Sequence, residues 1–428
     1  MDVYDVGGQR SLETILTERA KPSVRVTEKL TIILIALCPI LQHYKGIYIN
    51  AAVSVLLLLL PYAFSTLVMK RYIDCSLVPL VLPLAVNFLF QVVDHGTSVT
   101  EAGQAAVFIF YVIVLAAGGL STTFFIRAIT VVSVVASVCI IIQYFCYYIL
   151  HFHLQVVPTS LLLPRANQWV LLAQTGRYSI TGKMIKFYRP SAFFLEPSHM
   201  FIYTFTPSTL RVLTAETKRE KLVSAILVLG LILTTSGMGI LCGLMLIVLY
   251  LGKAGKAKRL APIIRKLLQP KNIGLLLAFL ILFVVAYFRV PFIHNSVERI
   301  LFSGTDFTTA VSGRLNSGWN VIKAMRGKQL LIGVKDGLSG ITASMSAFNE
   351  TMYQYGIIGV ILSYIFYACG LLKLKREFFW VALVVIALSF FSQHTHSTMF
   401  IIYEVFVFLE GYRSQRIKPR WRMARSRP

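Results

Sequence analysis

Apolar segments separated by short polar stretches account for most of this chain of 428 residues. They fall at about 30–44, 47–69, 73–93, 104–126, 128–150, 193–210, 222–235, 238–251, 273–288, 351–372, 378–392 and 397–410. A membrane span needs roughly 20 predominantly apolar residues, and the two segments flanking 236–239 are shorter. The pattern predicts an all-α, polytopic membrane helix bundle of about 12 transmembrane helices. The short pair forms either two tilted helices or one hairpin that does not cross fully.

Composition supports a membrane protein over a soluble one. Hydrophobic residues make up 56% of the chain and charged residues 14%, against roughly 25% charged residues in ordinary soluble domains. The formal net charge of +24 does not indicate a nucleic-acid partner, because the basic residues follow the pattern of the spans. The distribution of charge along the chain is therefore more informative than its sum.

The basic residues predict the orientation of the bundle. With the N-terminus in the cytoplasm and alternating spans, 29 of the 42 Lys and Arg residues lie on the cytoplasmic side. Both termini are therefore expected inside. The chain divides into a cytoplasmic segment 1–29, a transmembrane domain 30–412 and a basic cytoplasmic tail 413–428.

Two large extracytoplasmic loops, about 151–192 and 289–350, carry twelve of the basic residues that remain outside. The rule for charge and orientation is weak for long loops, so these cations do not contradict the topology. A basic outer cavity that binds an anion is one explanation for them. Within the second loop, an amphipathic helix is predicted over about 316–326.

The stretch from Arg189 to Tyr203 concentrates ionisable groups where the chain enters the membrane. Such groups cost roughly 2.5–3.5 kcal/mol each on insertion scales and often mark function. Pro197 suits the first turn of a helix, which puts Glu196 at the helix N-terminus. His199 follows at i+3, and Tyr203, a candidate for substrate binding, lies four residues later on the same face. Arg189, Glu196 and His199 are therefore the first candidates for chemistry.

Arginine suits phosphate or pyrophosphate because its planar fork donates two aligned hydrogen bonds and stays charged. Arg189 and Arg314 lie on different outer loops and are predicted to clamp a pyrophosphate together. Interfacial snorkelling or loop ion pairs are the structural alternative. Further substrate-binding candidates are Arg165, Arg177 and Lys186. For these residues too, the alternative is snorkelling or a loop ion pair.

The general base is predicted to be Glu196 or His199, acting on an attacking hydroxyl. Alternatively, these two residues form a polar pair that caps a helix. Asn349 and Glu350 bind sugar hydroxyls or cap a helix. Glu404, within the last apolar segment, is expected to have a partner inside the bundle. The sequence contains no D-x-D or C-x-x-C pair, and no metal or cofactor is expected.

Three motifs carry a resemblance to a known family. They are R-P-S-x-F-F-x-E-P-S-H from Arg189 to His199, S-G-R ending at Arg314, and Y-G-I-I-G over 355–359. Together with the topology they resemble the Wzy-type polysaccharide polymerases, which are related to the O-antigen ligases. The resemblance covers most of the chain as topology and about thirty residues as motif.

This resemblance implies a GT-C-like, metal-independent glycosyltransferase in a bacterial cytoplasmic membrane. Its substrate would be an undecaprenyl-pyrophosphate-linked oligosaccharide on the outer face. The growing glycan would pass from its lipid carrier to a new lipid-linked repeat, with Arg189 and Arg314 holding the leaving pyrophosphate. The partners implied are membrane lipid, a chain-length regulator and a flippase, with no nucleic acid.

The stretch before Asn349 separates the alternatives within this family. The ligases typically carry a His-Asn pair where the second outer loop re-enters the membrane, whereas this chain has S-A-F-N over 346–349. A polymerase is therefore favoured over a ligase. A transporter or flippase of lipid-linked sugar is the rival from another class. Such proteins often show internal repeats and broken helices, and the sequence indicates neither.

Overall fold

A computed structural model describes residues 26–46, 49–70, 99–152, 154–157, 159–163, 190–253, 311–334, 345–373, 376–390 and 398–413, with short helical pieces at 82–83, 85–86 and 89. This described part is helical and contains no β-strand. Isolated bridges pair Tyr44 with Leu162 and Lys45 with Asn50. The predicted all-α class is confirmed.

The helices, numbered in chain order, follow the apolar segments closely. They are α1 (Val26–Leu41), α2 (Ala51–Lys70), α3 (Val99–Ala116), α4 (Thr122–Tyr148), α5 (Pro197–Thr214), α6 (Lys218–Leu233), α7 (Gly237–Lys253), α8 (Val311–Ala324), α9 (Lys328–Ile332), α10 (Ala347–Lys373), α11 (Arg376–Ser389) and α12 (Thr398–Arg413). All but α8 and α9 correspond to a predicted apolar segment. The predicted segments 73–93 and 273–288 lie largely or wholly outside the described residues, so the number of spans stays a prediction.

One predicted boundary is wrong. The sequence pattern put a break at Arg127, but Arg127 lies inside α4, and the chain turns at 117–121 instead. Gly118 adopts φ 69° in this turn, and the Ser121 hydroxyl caps α4 by accepting a hydrogen bond from the Phe124 N–H. The turn residues Gly118 and Ser121, rather than the charged Arg127, therefore determine where α3 ends and α4 begins.

The short pair around 236–239 forms two helices, α6 and α7, which pack against each other. A capping box begins α6, in which Thr217 and Glu220 satisfy each other's backbone N–H groups. Gly230 of α6 lies so close to α4 that an added Cβ would be 2.2 Å from the Ser137 hydroxyl. Small residues thus allow α4 and α6 to approach closely, as in membrane helix pairs.

The outer surface of α4 is apolar, and polar side chains of this helix lie on its buried face among apolar ones. The exposed stripe, at spacings of three and four residues, consists of Val131, Val135, Val138, Ile142 and Phe145. The buried face includes Thr130, Ser133, Ser137 and Gln143. A helix on the surface of a soluble protein shows the reverse arrangement. Of the described helices, the stretches 51–69 and 122–148 are long and apolar enough to cross a membrane. Both features indicate a membrane-embedded bundle.

Side-chain contacts define the two ends of the bundle. At one end, Glu410 of α12 accepts hydrogen bonds from the Thr122 hydroxyl and, at 3.0 Å, from the Thr123 hydroxyl, both at the start of α4. At the opposite end, His43 after α1 stacks on His199 at the start of α5. We call these the Glu410 end and the His199 end. Consequently α5 and α12 start at the His199 end, whereas α4 starts at the Glu410 end.

Helix α10 is sharply bent, which the sequence did not indicate. Gly356 breaks it with φ 61° and ψ −163°. The rings of Phe348 and Tyr364 are 5.9 Å apart, although 16 residues of straight helix would separate them by about 24 Å. The two halves of α10 therefore fold towards each other. At the bend, the Val334 N–H donates to the Tyr353 carbonyl at 2.9 Å, which satisfies an acceptor near the break.

Candidate functional site

The residues before α5 form a tightly bonded loop at the His199 end, which we call the motif loop (190–196). The Ser191 hydroxyl donates to the Phe194 carbonyl at 2.8 Å. Ala192 adopts φ 52°, in the left-handed region, and its N–H donates to the Gln143 side-chain oxygen at 2.9 Å. The loop that contains most of the R-P-S-x-F-F-x-E-P-S-H motif is therefore attached to α4.

The first outer loop is also attached to the turn between α1 and α2. The Lys45 N–H donates to the Leu161 carbonyl at 2.8 Å, and the Leu163 N–H donates to the His43 carbonyl at 3.0 Å. The Tyr44 hydroxyl donates to the Phe193 carbonyl of the motif loop at 3.4 Å. The turn thus holds both the early part and the last part of this outer loop at one place.

Glu196 occupies the N-cap position of α5 with extended backbone angles, and Pro197 is the first helical residue. Both placements confirm the sequence-based prediction. The Glu196 carboxylate makes no cap hydrogen bond to the backbone and accepts the Ser198 hydroxyl at 2.9 Å. It is half-buried and lies at the N-terminus of the helix, beside backbone N–H groups that have no partner within the helix.

His199 lies deeper, inside the bundle. Its side chain is 1% exposed, and its ring lies parallel to that of His43, with the centroids 4.7 Å apart and 2° between the planes. The base candidates therefore have different surroundings, with Glu196 at the rim and His199 in the interior.

Tyr203 is part of the helix packing. It is fully buried, and its hydroxyl donates to the Ala36 carbonyl of α1 at 2.9 Å. Its own carbonyl accepts the Tyr403 hydroxyl of α12 at 2.8 Å. The hydroxyl expected to contact substrate is thus engaged in tying α5 to α1, and its position favours a structural role.

The predicted amphipathic helix of the second outer loop is α8, which begins five residues earlier than expected. Arg314 is a position on this helix, one turn before Gly318. Gly318 lies directly against Asn349 of α10, because an added Cβ would be 2.3 Å from the Asn349 side-chain nitrogen. Asn349 is 2% exposed, whereas Glu350, in the first turn of α10, is half-buried. Asn349 therefore packs α8 against α10, and Glu350 remains partly accessible.

The start of α10 lies at the same end as the motif loop. Phe348 stacks on Phe390, which follows α11, with ring centroids 4.8 Å apart, and Tyr364 contacts the same ring. One turn after Tyr364 along α10, the Tyr367 hydroxyl donates to the carboxylate of Glu404, which lies in the first half of α12. Because α12 starts at the His199 end, α8 and the first half of α10 belong to that end too. The Tyr367 contact also confirms the expected partner for Glu404 inside the bundle.

Several predicted site residues lie outside the described part of the chain, namely Arg165, Arg177, Lys186 and Arg189. The clamp formed by Arg189 and Arg314 therefore stays a prediction. Pro190, the residue after Arg189, is buried at the His199 end. Among the residues that the structure describes, no group of three or more His, Cys, Asp or Glu side chains is arranged to hold a metal ion.

Sequence reasoning missed two residues at this end, Gln143 and His43. Both belong to no motif. Gln143 is a single amide within the apolar segment 128–150, and a polar group in such a segment needs a partner inside the protein. The sequence therefore indicated that Gln143 has a hydrogen-bond partner inside the protein, but not which residue that partner is.

Comparison with protein-family models and with curated proteins gives no match for this sequence. The functional interpretation therefore depends on the motifs and on the geometry of the His199 end.

Proposed function

We propose that the chain is a surface-polysaccharide polymerase of a bacterial cytoplasmic membrane, with about 12 transmembrane helices and both termini in the cytoplasm. It transfers the growing glycan from undecaprenyl pyrophosphate to a new lipid-linked repeat unit on the outer face. The observation that supports this best is that both outer loops adjoin the bundle at the His199 end. The motif loop there directly follows Arg189, and α8 there includes Arg314.

The proposed reaction needs one base and one site for the leaving group. A hydroxyl oxygen of the acceptor sugar attacks the anomeric carbon of the donor glycan, and its proton passes to the base. The bond between that carbon and the pyrophosphate oxygen breaks, and the carrier pyrophosphate leaves with the electron pair. Arg189 and Arg314 stabilise the negative charge that develops on the leaving group.

Of the two base candidates, Glu196 is the better placed. It is half-buried at the rim of the bundle, and its carboxylate accepts the Ser198 hydroxyl. His199 is 1% exposed and stacked on another imidazole, so a sugar hydroxyl reaches it less easily. A general base must come within hydrogen-bond reach of the proton that it removes. His199 then supports the start of α5 beneath Glu196.

The bend in α10 bears on the rival transporter function. Discontinuous membrane helices occur in transporters, where the unwound backbone binds the substrate or ion. In this chain, the Tyr353 carbonyl beside the bend is instead bonded by the Val334 N–H. The bend also brings α8 and α9 against α10, which suits a fixed platform for the second outer loop. The bent helix thus fits chemistry on the outer face.

The test uses the purified protein with one synthetic undecaprenyl-pyrophosphate-linked repeat. We expect a ladder of polymer and release of the carrier pyrophosphate. Arg189→Ala and Arg314→Ala should each lower the rate by about 10²–10³, the loss typical of a donor to a developing negative charge. Lys323→Ala removes an exposed cation from the same helix as Arg314 and is the matched control.

Each alternative gives a different result in this assay. If both arginine variants elongate the glycan normally, the clamp is refuted. A ligase forms no ladder and transfers a finished chain to another acceptor. A transporter moves the lipid-linked sugar across a vesicle membrane without releasing pyrophosphate.

A further inference from the structure

Gln143 joins the two ends of the first outer loop through one side chain. Its oxygen accepts the Ala192 N–H at 2.9 Å, and its nitrogen donates to the Leu154 carbonyl at 3.1 Å. Leu154 lies near the beginning of the outer loop 151–192 and Ala192 at its end. The side chain is 1% exposed; its hydrogen bond with Ala192 is buried and the one with Leu154 is partly buried.

The chemistry of the amide suits this arrangement. A glutamine has one acceptor and one donor group, and here each is used by the backbone of a different stretch of the same loop. Both partners lie outside α4, so the side chain does not serve its own helix. By contrast, Thr130 of the same helix donates to the Ile126 carbonyl within α4.

The hydrogen bond to Ala192 also holds an unfavourable backbone conformation. Ala192 adopts φ 52°, a region that residues with a Cβ rarely occupy. It is fully buried, between Ser191 and Phe193 of the motif loop. Without its acceptor, the Ala192 N–H would lose the contact that opposes this strain, and the loop would relax to another shape.

We infer that Gln143 is the positioning residue of the candidate site. Its amide closes the first outer loop at its base and holds the motif loop against α4. It thereby sets the position of residues 190–196 and of Glu196 at the start of α5. The effect on catalysis depends on the proposed function, whereas the effect on the motif loop does not.

The first measurement is amide hydrogen exchange of the full-length protein in lipid nanodiscs. In Gln143→Leu, exchange in residues 190–196 should rise at least about fivefold, as expected for the loss of a buried hydrogen bond. Thr130→Val removes a buried hydroxyl from the same helix and should leave the exchange of these residues unchanged. Unchanged exchange in Gln143→Leu would overturn the inference.

The second measurement is a rescue experiment. Glycine adopts positive φ without steric cost, so Ala192→Gly should restore part of the motif-loop shape in the Gln143→Leu protein. We expect polymer formation to fall at least about tenfold in Gln143→Leu and to recover at least about threefold in the double variant. Because glycine at positive φ also stabilises the folded protein, the melting temperatures of the variants are compared: recovery of polymer formation at an unchanged melting temperature identifies positioning rather than overall stability.

The two measurements separate the possible failures. Faster exchange with normal polymer formation would refute the positioning role. Lost polymer formation without rescue by Ala192→Gly would also refute it. If the wild-type protein forms no polymer, the proposed function fails, and the exchange of residues 190–196 still decides whether Gln143 holds the loop.

Discussion

Replacing Gly356 by alanine is expected to release α9 from the bend in α10. Gly356 has φ 61° and ψ −163°, a combination that is essentially restricted to glycine. It also lies against the backbone of α9, because an added Cβ would be 2.4 Å from the Leu331 carbonyl carbon and 2.5 Å from the Ile332 nitrogen. A methyl group at this position therefore meets two independent penalties.

The expected free-energy cost of Gly356→Ala follows from these two penalties. The backbone conformation costs a residue with a Cβ about 1–3 kcal/mol. Overpacking against a backbone that cannot rotate away costs about 1–3 kcal/mol more. The contacts that hold α9 include the hydrogen bond from the Val334 N–H to the Tyr353 carbonyl and a small cluster around Ile322 and Met352, which is separate from the main core. The strain is therefore expected to displace α9 rather than to unfold the bundle.

Hydrogen exchange of residues 328–334 measures this displacement directly. We expect at least a tenfold increase in Gly356→Ala, because an opening that is easier by about 1.4 kcal/mol is ten times more populated. Gly327→Ala is the matched control. Gly327 also has positive φ, 52°, but no atom lies within 4 Å of its added Cβ. This control has the backbone penalty without the clash.

Two results would refute the reasoning. Wild-type exchange in Gly356→Ala would mean that α10 is not bent against α9 at this residue. An equal increase in Gly327→Ala would show that backbone strain alone, rather than contact with Leu331, explains the effect.

Three further predictions concern stability and packing. Partial burial raises the pKa of Glu220, but hydrogen bonds from its own capping box and a nearby arginine outweigh this effect and lower the pKa below its ordinary value of 4.5. The stability that the ionised Glu220 contributes is therefore complete above pH 4.5 and is lost as the pH falls through the lower pKa of the folded state. The difference in melting temperature between wild type and Glu220→Ala should accordingly shrink on acidification. A difference that does not change with pH would contradict this prediction. Gly230→Leu should separate α4 from α6 and lower the melting temperature markedly, since even a Cβ would be 2.2 Å from the Ser137 hydroxyl, whereas Gly103→Leu, with an open surrounding, should be tolerated. Tyr203→Phe should cost about 1 kcal/mol of stability and keep the rate of polymer formation within about twofold, and a hundredfold loss of rate would restore Tyr203 as a substrate-binding residue.

The positions of most described helices could be predicted from the sequence. Long apolar segments form helices because backbone groups in a membrane must be hydrogen-bonded within the same segment. The start of α5 was predictable for a local reason as well, since Pro197 suits the first turn and leaves Glu196 at the N-cap. The predicted helix boundary at Arg127 was wrong because the charge of Arg127 does not interrupt the helix, whereas the turn residues Gly118 and Ser121 do. These are all features that neighbouring residues determine.

The candidate site was only partly predictable. Its motif residues were recognised, but the contacts of Gln143 with Ala192, and of His43 with His199, join residues far apart along the chain. The bend at Gly356 likewise depends on α9, which lies against it. A helix needs only its own backbone to satisfy its hydrogen bonds, whereas the partner of a buried side chain depends on which helices become neighbours. Packing between distant segments therefore determined which candidates lie at the rim and which lie in the interior.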